Sequence, residues 1–397
     1  MGSLAIVFAT SGEVVPAQRA AEQAVTLARG LNDLGAEALS WKATAEALSR
    51  TQKWGRASEA AEEAVKLFNA LGDADGQADT LHVIAKAALA GDDRQKALDA
   101  SAREQEARRV AGDSRGQAAA ILFTANVQAA AGKHARARAS ACEALELLQE
   151  AGDAAGEARA WLCAGDACLR SGAQAEALEA ADRAHEAAQR ALAHGRMATK
   201  QARGLEVEAA LLVARVRSAE TQALLDGAMS PGVSSARSEE TLRLALAAAG
   251  EAATRARGLG HTELLAKTLQ TLGEAHMLAC NWGNAAWAAG EVVRLTSARD
   301  DEAGEAAAQL LLAQACLQGG DPEAAAVAAA RAQELSLRCK DKKGEEDAKS
   351  LELEALNMAT RGKGGPFYGP GDAGRGPRVA QEAAMALIGP GQQARSE

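Results

Sequence analysis

The stretch that decides the fold begins with a short loop motif and continues as a helix. It reads Gly152-Asp153-Ala154-Ala155-Gly156-Glu157-Ala158-Arg159-Ala160-Trp161-Leu162-Cys163-Ala164-Gly165-Asp166-Ala167-Cys168. The same Gly-Asp-x-x-Gly-(Gln/Glu) opening occurs at 72–77 and at 112–117, so the three copies stand 40 residues apart. A constant spacing of this kind indicates an internal repeat. We therefore expect one continuous array of repeats rather than a row of separate domains.

Each repeat contains two helices, as its large and small residues indicate. The large residues that mark the first helix are Trp41, Leu81, Ile121 and Trp161, and the alanines sixteen positions later, in the second helix, are Ala57, Ala97, Ala137 and Ala177. Turn signals such as Gly91-Asp92-Asp93 separate the two helices. Small residues allow two helix backbones to approach where Leu would clash. The pattern predicts an all-α chain of antiparallel helix pairs, that is, an α-solenoid.

The repeat divides residues 1–361 into units. We predict these at 1–40, 41–80, 81–120, 121–160, 161–200, 201–260, 261–300 and 301–345, with a capping helix at 346–361. The alanine spacing from 177 to 245 is 68 residues rather than 40, so the unit at 201–260 carries an insertion of 28, with a long helix at 196–223 and a loop at 226–237. The first unit lacks the start of its first helix, which is either short or begins upstream of Met1.

The composition changes at Arg361 to a segment rich in Gly and Pro. Residues 362–397 cannot bury enough apolar surface to fold and are predicted to be disordered. Within this tail the pattern allows a short amphipathic helix at 378–388, which either binds a partner or docks back on the array.

Charge and hydropathy exclude several classes of function. The 53 acidic and 44 basic residues are interspersed and give a net charge of −9, so the basic stripe that nucleic-acid binding needs is missing. No stretch approaches the ~20 apolar residues that span a bilayer, and the apolar run at 4–9 is too short for a signal peptide. Six cysteines without paired spacing indicate a reducing compartment. We expect a cytoplasmic protein that binds no nucleic acid and does not insert into membranes.

The sequence predicts no catalytic residue, no cofactor and no metal. The string Gly369-Pro370-Gly371-Asp372-Ala373-Gly374 matches a dinucleotide fingerprint, but no strand precedes it. His185-Glu186 begins like a zinc-protease helix, but Gln189 stands where the second His belongs. We therefore predict that the protein is not an enzyme, and a nucleotide-binding role of the Gly-rich tail is kept as a third interpretation.

The repeats resemble a known family, on the residues Trp161…Ala164-Gly165…Cys168…Ala177…Ala181…Ala184 and Leu269…Leu272-Gly273…His276…Ala285…Ala289. This pattern is similar to the tetratricopeptide repeat family, although the family's aromatic after the Leu-Gly pair is replaced by Leu48, Ala88, Gln128 and Cys168. The 40-residue period and its loop motif resemble the subclass found in Pins-type modulators of G-protein signalling, rapsyn and kinesin light chains. The resemblance implies a right-handed superhelix.

The resemblance also implies a protein-binding groove lined by the first helices. Carried over position by position, the groove residues are Lys42, Glu46 and Arg50; His82 and Lys86; Leu122 and Asn126; Arg159, Asp166, Leu169 and Arg170; and Lys267, Gln270, Glu274 and Met277. Glu46 stands where chaperone-binding members have the Asn of their carboxylate clamp, so that ligand is disfavoured. We expect a non-catalytic scaffold or adaptor that binds a peptide or helix of a partner protein. The alternative is a structural subunit that uses its outer face, inserted loop and tail, and the oligomeric state stays open.

Overall fold

The computed structural model describes residues 14–193, 199–226 and 234–362, and within these ranges the chain forms sixteen helices and no strand. The helices are α1 (Val14–Gly30), α2 (Leu34–Arg50), α3 (Trp54–Leu71), α4 (Ala74–Ala90), α5 (Arg94–Ala111), α6 (Ser114–Ala130), α7 (His134–Glu150), α8 (Ala154–Arg170), α9 (Gln174–Ala193), α10 (Thr199–Asp226), α11 (Ser234–Leu259), α12 (Thr262–Leu278), α13 (Trp282–Ser297), α14 (Glu302–Gln318), α15 (Pro322–Cys339) and α16 (Lys342–Gly362). The predicted fold class, an all-α array of helix pairs, is confirmed. Most of the predicted disordered tail, with its short helix at 378–388 and the glycine string at 369–374, lies outside the described residues.

The helices belong to two compact units, residues 1–205 (unit 1) and 206–397 (unit 2). Inside each unit most consecutive helices pack against each other, and links of two or three residues make such neighbours antiparallel. First helices also contact first helices, namely α2 with α4 and α6 with α8 in unit 1, and α12 with α14 and α14 with α16 in unit 2. We call this arrangement the first-helix layer of each unit.

The Gly-Asp-x-x-Gly motif ends one helix and starts the next. Gly72 adopts a left-handed conformation at the C-cap of α3, with φ 71°, and the Asp73 carboxylate caps α4 by accepting the N–H of Gly76 at 2.9 Å. A Cβ on Gly76 would lie 2.6 Å from Asp73 Oδ2 and 2.5 Å from a ring carbon of Phe68. The second glycine of the motif is therefore required by close packing, and the same cap is made by Asp113, Asp153, Asp301 and Asp341. The first glycine suits the left-handed backbone, which Asp300 and Lys340 adopt at its position in the last two copies.

The helices themselves account for the length of the repeat. α2 and α3 contain 17 and 18 residues, and links of only two or three residues join α2 to α3 and α3 to α4. Trp41 consequently lies in the middle of its helix rather than at its start. In the pair that carries the insertion both helices are longer, with 28 residues in α10 and 26 in α11. α11 begins at Ser234, inside the segment that the sequence predicts as a loop.

Alanine carries the interior, as the low aromatic content indicates. In unit 1 Ala45 and Ala85 on first helices and Ala57 and Ala61 on a second helix are buried in one cluster with Leu81 and other apolar residues. In unit 2 a Cβ on Gly273 would lie 3.5 Å from the Cβ of Ala288, so the backbones of α12 and α13 are in close approach there. These contacts confirm that small residues mark the places where paired helices meet.

Candidate protein-binding surface

The predicted groove residues of unit 1 differ in how exposed they are. Lys86 and Asn126, which stand five places after Leu81 and Ile121, are exposed, while Glu46 and Asp166 at the equivalent positions are half-buried. Lys42, His82 and Leu122, one place after their large residues, are half-buried, and so is Leu169. The position in the repeat therefore decides how much of each side chain a ligand can reach.

Lys42 belongs to an ion-pair network that connects three helices. Its Nζ lies 2.7 Å from Asp79 Oδ2 on α4, and Arg108 Nη2 on α5 lies 2.6 Å from Asp79 Oδ1. Burial alone would raise the pKa of Asp79, but the hydrogen bonds and charges of Lys42 and Arg108 together lower it below its ordinary value. Sequence reasoning missed Asp79, although it stands two places before Leu81, as Arg159 stands two places before Trp161.

His82 joins three helices rather than facing solvent freely. Its Nδ1 lies 3.1 Å from Oε2 of the buried Glu104 on α5. Its ring contacts Phe123 on α6 edge-on, with ring centroids 5.7 Å apart. These contacts leave little of the imidazole for a ligand, and neither Glu104 nor Phe123 belongs to the residues predicted from the sequence.

Asn126 and Cys163 connect α6 to α8. The Cys163 thiol donates to Asn126 Oδ1 at 3.5 Å. Burial, with a smaller contribution from the Asp166 carboxylate, raises the pKa of this thiol to about 11. The thiol therefore stays protonated near neutral pH and is a poor nucleophile.

Among the predicted groove residues of unit 1, two cations have no ion-pair partner in the described part of the chain. Arg170 Nε pairs with Asp166 Oδ2 at 2.9 Å, and Arg159 Nε donates only to the backbone oxygen of Ala155, at 3.3 Å. Arg50 and Lys86 are exposed and form no ion pair within residues 14–193. Once the pairs Lys42–Asp79 and Arg170–Asp166 are set aside, the predicted groove set of unit 1 retains Arg50, Lys86 and Arg159 against Glu46, which is an excess of positive charge within that set.

In unit 2 the predicted groove residues form a different arrangement. Gln270 Nε2 donates to Glu274 Oε1 at 3.1 Å, and Gln270 Oε1 is buried without a hydrogen-bond partner. The Glu274 side chain is exposed to solvent. Crowding by protein atoms nevertheless raises the pKa of its carboxyl, against the opposing effects of Gln270 and of the Arg215 charge. Arg215, on α10, is a member of this cluster that the sequence did not reveal.

The remaining predicted residues of unit 2 lie apart from this cluster. Lys267 Nζ pairs with Glu263 Oε1 on its own helix at 2.7 Å, and Arg299 approaches the other oxygen of Glu263 at 3.4 Å. Met277 is half-buried. Only Gln270 and Glu274 of the predicted set are therefore brought into direct contact in this unit.

Within residues 14–193, 199–226 and 234–362 there is no group of three or more His, Cys, Asp or Glu side chains that could hold a metal ion. Over the same ranges no helix has the length and the apolar character needed to cross a bilayer.

Comparison with known proteins finds structures of similar fold but no protein of similar sequence. No protein-family model matches the chain, and no curated protein is significantly similar in sequence. Among solved structures, a Rap protein complexed with competence and sporulation factor superposes with a TM-score of 0.50 at 10% identity, over 91% of this chain and 98% of that one. The chain has a tetratricopeptide-like repeat fold.

Two further structures are similar to this tetratricopeptide-like array. The apo form of RapI superposes with a TM-score of 0.49 at 12% identity, over 91% of this chain and 98% of that one. A signal transduction ATPase with a tetratricopeptide repeat sensor, from Pyrococcus horikoshii, superposes with a TM-score of 0.44 at 14% identity, over 90% of this chain and 52% of that one. At these identities the likeness concerns the fold, and the subclass with 40-residue repeats stays a prediction.

Proposed function

We propose that the protein is a non-catalytic scaffold whose unit 1 binds an acidic peptide or helix of a partner protein along its first-helix layer. The observation that carries the proposal is the excess positive charge left there by Arg50, Lys86 and Arg159 in a chain whose net charge is −9. Exposed cations without partners can form charge-assisted hydrogen bonds to carboxylates at little cost, because no existing ion pair has to be broken.

The ligand would lie across neighbouring first helices. Arg50 is at the end of α2 and Lys86 near the end of α4, and Asn126 presents an exposed side chain on α6. An amide and two cations on the first helices of one unit suit a ligand that combines carboxylates with backbone groups, as extended peptides and helix ends do. A Rap protein of similar fold is complexed with competence and sporulation factor, which supports a ligand-binding use of such arrays.

The proposal also includes the cellular compartment and the mode of action. All six cysteines are free thiols, which suits a reducing compartment, and we place the protein in the cytoplasm. We propose that it acts by holding a partner rather than by chemistry on a substrate.

The test is binding to a panel of fluorescent peptides of equal length that differ in net charge, measured by anisotropy at several salt concentrations. The double variant Arg50→Gln/Lys86→Glu should lose about tenfold or more in affinity for acidic peptides, since each charged contact contributes on the order of 1.5–3 kcal/mol. The matched control is Arg56→Gln/Lys96→Glu, which changes the same residue types on the second helices α3 and α5, where both are exposed and unpaired among the described residues.

Binding that is equally strong for acidic and basic peptides would contradict the proposal. An equal loss in the second-helix control would also contradict it, because the effect would then come from the overall charge and not from the first-helix layer.

A further inference from the structure

The last described helix, α16, exposes an apolar face that is covered in the first helices α2, α4, α6, α8, α12 and α14. Four places after the large residue, or after its equivalent, each first helix carries a buried small residue: Ala45, Ala85, Ala125, Gly165, Gly273 and Ala313. The residue at this position in α16 is Leu353, and 63% of its side chain is exposed. A large apolar residue is thus open to water where its six counterparts are buried.

The counterparts in α14 show what normally covers this face. Ala313 packs with Ala328 and Ala329 of α15, the second helix of its own pair. Cys316, three residues later, packs with Ala325 of the same helix. The residue equivalent to Cys316 in α16 is Leu356, which is 49% exposed. Leu353 and Leu356 are therefore neighbours on one side of a helix whose own second helix is absent from the described residues.

The second helices share a pattern of small residues on the side that meets the first helix. The pattern is Ala-x-x-Ala-Ala-x-x-Ala, as in Ala57/Ala60/Ala61/Ala64, Ala177/Ala180/Ala181/Ala184 and Ala325/Ala328/Ala329/Ala332, and all twelve alanines are buried. After α16 the sequence contains Ala380-x-x-Ala383-Ala384-x-x-Leu387. This segment has the contact pattern of a second helix, with Leu at the fourth place.

We propose that residues 379–388 dock on Leu353 and Leu356 of α16 as the second helix of the last pair. In this contact, large residues on α16 would face small residues on the docked segment. Such a pairing fills the space between two helices as well as small residues facing small residues do, but it holds the two helix axes farther apart. The chain is long enough for it, because the sixteen residues 363–378 span up to roughly 53–58 Å when extended, while links of two or three residues join α2 to α3 and α3 to α4.

Docking within one chain is favoured over an external partner by effective concentration. A link of only sixteen residues would give the segment an effective concentration on the order of millimolar at its site, so a weak contact is enough to keep it bound. The docked segment would cover Leu353 and Leu356 and give the array a closed end, which repeat proteins need for solubility. An external helix would have to displace the segment before it reached the same face.

The test is hydrogen exchange on the full-length protein, combined with light scattering over a range of concentrations. In the wild type the amides of 379–388 should be protected, independently of protein concentration, in a monomer. Leu353→Glu on the face and Ala384→Glu in the segment should each speed their exchange by at least tenfold. Leu353 is largely exposed, so its substitution should leave the protection of α14 and α15 unchanged.

Two matched variants serve as controls. Glu354→Lys alters a neighbouring exposed position of α16 on another side of the helix, and Gln381→Glu alters the segment away from its alanines; both should keep the wild-type protection. The proposal is overturned if 379–388 exchanges at the rate of an unstructured peptide, or if Leu353→Glu leaves its protection intact. Protection that appears only with dimer formation, or only when another protein is added, also overturns it, because the face would then belong to a second copy or to a partner.

Discussion

Asp79 in unit 1 and Glu274 in unit 2 are both carboxylates on a first helix, but their environments shift their pKa values in opposite directions. Asp79 lies between Lys42 and Arg108, and its pKa is lowered. Glu274 is crowded by protein atoms, and its pKa is raised, although Gln270 donates a hydrogen bond to it and Arg215 is near. Equivalent helices of one repeat design therefore carry different electrostatics, because the partners come from neighbouring helices whose sequences vary.

This difference indicates where a charged ligand is expected. In unit 1 the Asp79 carboxylate is already paired with Lys42 and Arg108. Arg50 and Lys86 have no such partner and can bind an external anion. In unit 2 the side chains of Gln270 and Glu274 form a hydrogen bond with each other. Four experiments would break or sharpen the contrast, and they follow from the largest expected effect to the smallest.

The largest effect is expected from removing the same buried residue in each unit. Leu81→Ala in unit 1 and Leu269→Ala in unit 2 truncate side chains that are almost completely buried, and each should cost about 2–5 kcal/mol. Because repeats contact mainly their neighbours, hydrogen exchange should accelerate first in the unit that carries the substitution. If both variants accelerate exchange equally in both units, the array unfolds as one body and the units do not respond separately.

Asp79→Asn should destabilise unit 1 at neutral pH by less than about 1 kcal/mol for each pair that it breaks, because solvent reaches the carboxylate. A lowered folded pKa means that the ionised Asp79 contributes stability above its ordinary pKa of 3.8, and that this contribution is lost as pH falls through the folded value. Urea unfolding of wild type and variant should therefore differ near pH 7 and converge in acid. A difference that stays constant down to acid pH would show that the charge of Asp79 is not its cause.

Glu274→Gln should have the opposite pH dependence and a smaller effect, within about 0.5 kcal/mol. With a raised folded pKa, the folded state favours the protonated carboxyl, so stability is full below the ordinary pKa of 4.5 and decreases as pH rises through the folded value. The amide removes this dependence, and the variant should match the wild type in acid and be slightly more stable at pH 7. A loss of stability at pH 7 would mean that the ionised carboxylate is favoured after all.

The fourth experiment, with the smallest expected effect, compares the alkylation rates of two cysteine thiols, one in each unit, at about pH 8. Cys163, whose pKa is raised to about 11, should react much more slowly than the exposed Cys280 of unit 2. Peptide mass mapping after a short exposure to iodoacetamide measures both sites in one sample. Equal rates would mean that the contact of Cys163 with Asn126 opens readily and that this part of unit 1 is mobile.

The helical architecture could be predicted from the spacing of residues in the sequence, but the exposure and pairing of surface side chains could not. The 40-residue period, the Gly-Asp-x-x-Gly caps and the alanine positions are local patterns, and each follows from the backbone geometry that it requires, as Gly76 illustrates. The long helix predicted at 196–223 corresponds to α10, but the lengthening of α11 was not predicted, because an insertion reveals its size but not how helix and loop divide it. The predicted groove positions on α2, α4 and α6 turned out to differ in exposure, since each depends on the side chains of the adjacent helices.

What the sequence determined by itself is the design of the repeat: two helices, their caps and the small residues where they meet. These features depend on residues close together in the chain, so a repeating pattern is enough to specify them. The tertiary structure alone decided which polar groups meet. Lys42 and Asp79 lie 37 residues apart, and Arg215 and Glu274 come from different helix pairs, so only the packed array shows that Arg50 and Lys86 are left unpaired. Charge pairing across helices depends on distance in space, which a linear pattern does not contain.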